Sequence, residues 1–155
     1  MIRSVSGLGT RLRTVLSMLD GDVEALYIRF GTGFRPRFYP IVMHLIEHDT
    51  ATISELAVAA GVTQPAATQT ISEMEKLGFV NVSAAADRRA RAVVLSREGQ
   101  EIARQLAPMW SAIDLAARQL DAELPYPLST VLDEAIAALH EERFIDRIDK
   151  NIQGD

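Results

Sequence analysis

The sequence predicts a mainly α-helical chain with one small β-hairpin, an α+β fold of the winged helix-turn-helix kind. Three observations lead there. Two short helix-forming stretches are joined by a turn of about three residues at Gly61. Two valine-rich runs, Phe79 to Ser83 and Arg91 to Leu95, follow at once and enclose a basic tip, AAADRRA. Long stretches of helical apolar periodicity lie on both sides of this central unit.

Taken in order, Leu8, Leu12, Val15, Leu16, Leu19 and Val23 recur at helical spacing, and the pattern runs on through Leu26 to about Phe30. Gly31 and Gly33 end this helix. Pro36 and Pro40 allow a new start, and Ile41, Val42, Leu45 and Ile46 give a second, shorter helix. Thr52 with Glu55 three residues on forms a capping box, in which the hydroxyl takes a free backbone N–H and the carboxylate reaches back, so a third helix runs from about Ile53 to Ala59. Gly61 closes it as the residue past the C-cap, and Thr63 caps a fourth helix that carries Gln64 and Pro65 in its first turn. Ala67, Ile71, Met74 and Leu77 are expected on the buried side of that helix, with Gln64, Ala66, Thr68, Gln69, Ser72 and Glu73 opposite. Gly78 stops it. Beyond the hairpin, Ser96 and Gly99 open a fifth helix, periodic through Ile102, Leu106, Met109, Trp110, Ile113 and Leu120, with a kink expected at Pro108. After the breaker run LPYPLS, a final amphipathic helix carries Val131, Leu132, Ala135, Ile136, Leu139, Ile145 and Ile148.

Composition sets the broad class. The 155 residues, 48% apolar and 24% charged, suit one compact domain with a core of its own. The absence of cysteine excludes disulfides, thiolate metal sites and thiol redox sensing. No apolar run reaches the roughly 18 to 20 residues of a bilayer span, and Met1 to Thr10 lacks a signal peptide's apolar centre, so a soluble cytoplasmic protein without a membrane role is expected. The net charge of −5 is unevenly spread: Asp87 to Arg97 holds four arginines against one aspartate, whereas Asp133 to Asp155 holds seven acids against three bases. A basic face on an acidic molecule is compatible with a nucleic-acid partner.

The stretches TISELAVAAGVTQPAATQTISEMEKLGFV and DRRARAVVLSREGQEI, over Thr52 to Ile102, resemble the MarR family of winged helix-turn-helix transcription regulators. Asp87, Arg89, Leu95, Ser96 and Gly99 match that family's wing pattern. The resemblance implies a single MarR-like domain over 1–155, with a winged DNA-binding lobe at 51–98 and helical dimerisation regions at 1–30 and 100–155. It implies a homodimer that binds double-stranded DNA at an inverted repeat, commonly as a ligand-released repressor. The apolar helices outside the lobe independently call for a partner, with Ile2, Val5, Leu8 and Leu12 near the start and Ile136, Leu139, Ile145 and Ile148 near the end expected to form the interface. A helix entering the major groove needs short side chains that hydrogen-bond base edges: glutamine pairs bidentately with adenine, and threonine methyl or alanine touches the thymine methyl. Gln64, Thr68 and Gln69 are therefore expected to read bases, Pro65 and Ala66 to allow close approach, and the helix N-terminus at Thr63 to favour a phosphate. Arg88, Arg89 and Arg91 supply the electrostatic part, with Arg89 resembling the family's wing-tip arginine of the minor groove.

Other readings compete. His44 to His48, HLIEH, has the H-x-x-E-H spacing of inverzincins, but without a third ligand it points to surface or packing histidines, and neither a catalytic residue nor a metal or other cofactor is expected. A winged helix also serves as a protein-interaction adaptor, for which an apolar or acidic readout face would be the signature. Phe30, Phe34, Phe38 and Tyr39 cluster in sequence at the junction of the first two helices, and the resemblance places Trp110 against them. Such rings, with Arg35 or Arg37 nearby, suit a small aromatic acid; equally, they fill the seam between core and terminal helices.

Overall fold

The computed structural model describes residues 7–83 and 91–153. The element order is α1 (Leu8–Phe30), a 3-10 turn (Pro36–Phe38), α2 (Tyr39–His48), β1 (Thr50–Thr52), α3 (Ile53–Ala59), α4 (Gln64–Lys76), β2 (Val80–Val82), β3 (Ala92–Leu95), α5 (Arg97–Glu123), α6 (Leu128–Glu141) and α7 (Phe144–Gln153). The chain forms two compact units, residues 1–107 and 108–155. Among the described residues no helix is long and apolar enough to cross a membrane.

In the first unit the helix ends follow the local chemistry read from the sequence. Gly31 closes α1 at φ +67°. Thr52 and Glu55 form the complete capping box of α3: Thr52 Oγ1 accepts from the Glu55 N–H at 3.3 Å, and Glu55 Oε2 accepts from the Thr52 N–H at 2.7 Å. Both α3 and α4 stop in a Schellman motif. The Gly61 and Val62 amides donate to the carbonyls of Val58 and Ala57, and those of Gly78 and Phe79 to Glu75 and Met74. The glycines take φ of +64° and +81°, which is why glycine stands at each.

The sheet corrects the expectation of a bare hairpin. It has three antiparallel strands in the order β1-β3-β2, with Val80 opposite Leu95 and Val82 opposite Val93 on one side of β3, and Ala51 opposite Val93 on the other. β1 is only Thr-Ala-Thr, and its last residue doubles as the cap of α3, so it carries too little alternation to be seen in the sequence. Leu77 is a second correction: it is 43% exposed, because at ~100° per residue it has drifted ~80° from Ala67 and stands at the C-cap. Ala67, Ile71 and Met74 are buried as expected.

The core is built around aromatic rings. Tyr27 from α1, Phe34, Phe38 and Phe79 are all buried, with ring centroids 4.9 Å apart for Tyr27–Phe34, 5.6 Å for Phe34–Phe38 and 5.8 Å for Phe38–Phe79. Spacings of this order suit the tilted and edge-on pairs seen here. Ile41 and Leu45 of α2, Leu56 of α3 and Val93 of the central strand pack around them as buried side chains.

In the second unit Pro108 lies inside α5, where it removes one helix donor. Asp121 near the end of α5 accepts from the Ser129 N–H at 3.3 Å and from its hydroxyl, so α6 is capped by a side chain from the preceding helix. The single final helix expected from the periodicity is two, α6 and α7, broken at Glu142 with φ −140° and ψ 113°. No glycine or proline marks the break. Across it Arg147 donates to the carbonyls of Glu142 at 3.4 Å and of Ala138 at 3.0 Å, the latter also accepting the Glu142 N–H at 3.1 Å.

The start of α5 explains one residue that periodicity leaves unexplained. A Cβ built on Gly99 would sit 2.0 Å from the Phe79 carbonyl oxygen, a backbone atom of β2's approach that has nowhere to go. Gly99→Ala should therefore cost about 3 kcal/mol, the upper end of ordinary overpacking, read as a shift of the urea midpoint at unchanged slope.

Candidate nucleic-acid interface

The helix pair α3–α4 presents α4 by its N-terminus and one long face. Thr63 caps the helix, its hydroxyl accepting from the Ala66 N–H at 3.4 Å, and Pro65 sits in the first turn where its missing N–H costs nothing. Thr63, Pro65, Ala66, Gln69 and Ser72 are exposed; Gln64, Thr68 and Glu73 are half-buried. The side chains expected to read bases are all at least partly accessible, but they are not equally free. Gln64 donates from Nε2 to Ser54 Oγ of α3 at 3.2 Å. Thr68 donates its hydroxyl to the Gln64 carbonyl at 2.9 Å, which leaves its methyl as the unengaged end. Gln69 has no hydrogen-bond partner among the described residues and stands with Ala66 on the edge of a groove of about 630 Å³ that runs between α1, the 3-10 turn and α4.

The wing is described at its base only. Arg91 is half-buried just before β3, and its Nε is buried without a hydrogen-bond partner among the described residues. Arg88 and Arg89, with Asp87, lie outside the described residues, as do Ile2 and Val5.

Arg35 and Arg37 emerge as members of this surface. Glu73, in the third turn of α4, pairs with Arg35 Nε at 3.2 Å and with Arg37 Nη2, so both arginines are engaged on α4 instead of standing ready for an aromatic acid. No local sequence signal announces the contact, since 36 residues separate Arg37 from Glu73. The hydrogen bond from Arg37, reinforced by both positive charges, lowers the Glu73 pKa below its ordinary value. Glu55 is lowered as well, chiefly by the Thr52 N–H it accepts.

The other candidate groups are dispersed. Phe34 and Phe38 belong to the aromatic core, whereas Phe30 and Tyr39 are 55% and 38% exposed, and Trp110 belongs to the second unit. His44 and His48 stack with ring centroids 4.3 Å apart, one helical turn from each other, and His48 Nε2 lies 3.8 Å from Glu47. Among the described residues no three histidine or acidic side chains converge as metal ligands.

A capped helix set across a second one, followed by a hairpin on a short third strand, defines a winged helix-turn-helix protein. Residues 32–90 match the family model of the MarR family. Among curated proteins, none is similar enough in sequence to be matched. Solved structures extend the likeness of fold to the flanking helices. The M. tuberculosis transcriptional regulator MosR in complex with DNA is 20% identical, covers 88% of this chain and 97% of its own, and superposes with a TM-score of 0.70. AbsC, a MarR family transcriptional regulator from Streptomyces coelicolor, is 24% identical over 100% of both chains with a TM-score of 0.61. NadR in complex with 4-hydroxyphenylacetate is 17% identical over 92% of this chain and 99% of its own, with a TM-score of 0.61.

The depressed Glu73 pKa fixes the sign of a pH effect. A carboxylate held below its unfolded value stabilises the fold above the ordinary carboxylate range, and that contribution is lost as pH falls through the lowered folded value. Glu73→Gln should cost about 0.5 kcal/mol near neutrality, as expected of a partly exposed pair, and nothing in acid, so denaturation curves of the two proteins should converge on acidification.

Proposed function

We propose that the chain is a double-stranded DNA-binding transcription regulator, acting as a homodimer on an inverted repeat and serving as a ligand-responsive repressor. The observation that carries this reading is the α4 face: a capped N-terminus followed by exposed, uncharged, hydrogen-bonding side chains, with Gln69 unengaged among the described residues. Such a face matches base edges and not an apolar or acidic partner surface. Thr63 and the helix dipole favour a phosphate, Gln64, Thr68 and Gln69 read bases, and Pro65 and Ala66 permit close approach. Arg88, Arg89 and Arg91 add charge from the wing. The DNA complex of MosR supports the partner class.

Dimerisation is supported by apolar side chains left open in one chain. Leu8, Leu12, Leu16 and Leu19 of α1 are exposed, as are Ile136 and Leu139 of α6 and Ile145 and Ile148 of α7. A row of this kind on a chain without a membrane-crossing helix among its described residues calls for another protein surface. In this reading 1–30 and 100–155 form the dimerisation region and 51–98 the DNA-binding lobe. The 4-hydroxyphenylacetate complex of NadR supports a small aromatic acid as the effector class.

Light scattering should give twice the 17.0 kDa of one chain at micromolar concentration; a monomer mass overturns the dimer. In gel-shift titrations on a selected operator, Gln69→Ala should relax preference at particular bases at a cost of about 1–3 kcal/mol. Arg89→Ala should weaken all duplexes nearly alike and reduce the salt dependence. Wild-type titrations from both variants would show the surface to be misassigned.

A further inference from the structure

Glu73 is out of place on the helix assigned to the groove. It lies one turn beyond Gln69 and two beyond Ala66 on the same side of α4, and a bare carboxylate there would repel phosphates. It is not bare. Arg35 and Arg37, from either side of Pro36, both close on it, so two positive charges face one negative. Their side chains remain 47% and 51% exposed. A guanidinium offers five N–H donors in a planar fork; the carboxylate accepts one from Arg37, while Arg35 Nε stands 3.2 Å from it as an ion pair. The other donors have no hydrogen-bond partner among the described residues, although Arg37 also lies over the Phe38 ring at 5.6 Å.

The position of this cluster along α4 is informative. Recognition helices touch bases with their N-terminal residues and leave the groove toward the backbone farther along. Glu73 is in the third turn, and the arginines it holds come from outside the helix-turn-helix, on the flank of α4. Anchoring on Glu73 restricts their rotamers before binding, which lowers the ordering cost of a contact.

We propose that Arg35 and Arg37, held by Glu73, form a phosphate clamp that grips the DNA backbone beside the groove entered by α4. The proposal rests on the DNA-binding reading above and adds a second basic contact, separate from the wing. Neutralising a phosphate releases counterions, so each contact contributes about −0.9 to the slope of log affinity against log salt.

The test uses the full chain and a fluorescein-labelled mixed-sequence duplex, followed by anisotropy across a potassium chloride series, which requires no knowledge of the operator. Arg35→Ala and Arg37→Ala should each make the slope shallower by about 0.9 per phosphate contact removed, and weaken binding several-fold on any sequence. Arg37→Lys keeps the charge and should keep the slope. Thermal melts of all variants should remain near wild type, since both side chains are half exposed. Wild-type slopes in both alanine variants would overturn the clamp while leaving the DNA-binding reading intact. So would an Arg37→Lys protein that loses as much slope as Arg37→Ala, because packing on Phe38 would then be the role of Arg37. A wild-type chain without salt-dependent duplex binding would overturn the DNA-binding reading, and the clamp with it.

Discussion

The first unit depends on the Ser96 hydroxyl and the carbonyl of Phe79. Ser96 donates its backbone N–H to the Phe79 carbonyl at 3.0 Å, and its hydroxyl donates to the Gly78 carbonyl while accepting from the Gly99 N–H at 2.8 Å. The end of α4, the approach to β2, the end of β3 and the start of α5 therefore meet at one side chain. Gly99 permits this, since its missing Cβ leaves room for the Phe79 carbonyl. The Phe79 ring in turn lies in the aromatic core against Phe34 and Phe38. The far end of α4 is thereby tied to the sheet and to α5, while its buried stripe of Ala67, Ile71 and Met74 sets the face that points outward.

Charge is arranged against the sign of the whole chain. A net charge of −5 accompanies a helix face whose one half-buried acid is matched by two arginines. Three acids of the second unit are also ion-paired locally: Glu142 with Arg147 and Lys150, Asp146 with Arg143, and Asp114 with Arg118. Exposed pairs of this kind contribute little to stability. Their effect is on which surface repels a polyanion, and Glu73 shows that a single misplaced acid is corrected by arginines from elsewhere in the chain.

What the sequence disclosed, and what it withheld, follows from the range of the interactions. Caps and glycine stops act within a turn, so the bounds of α3, the Thr63 cap and the Gly61 and Gly78 termini could be read residue by residue. The buried stripe of α4 could be read until Leu77, where the period of the helix had turned it away. Interactions between distant segments were hidden. β1 pairs with an edge that β3 offers it, Arg147 reaches two carbonyls across the α6–α7 break, and the Glu73 cluster forms where the chain brings Arg35 and Arg37 back to α4. The candidate readout surface was legible for a related reason: it is contiguous on one helix. An effector site assembled from separate segments was not, and the rings nominated for it divide between core and surface.

The Gln64–Ser54 hydrogen bond separates two residues that look alike in the sequence. Gln64 is engaged on Ser54 through its amide nitrogen, which leaves the amide oxygen as its open end. Gln69 keeps its freedom and must be ordered by whatever it touches. The same residue type thus stands on one helix in two states, one amide already held by its neighbour and one without a partner among the described residues. The difference between them is made by one hydroxyl on the preceding helix.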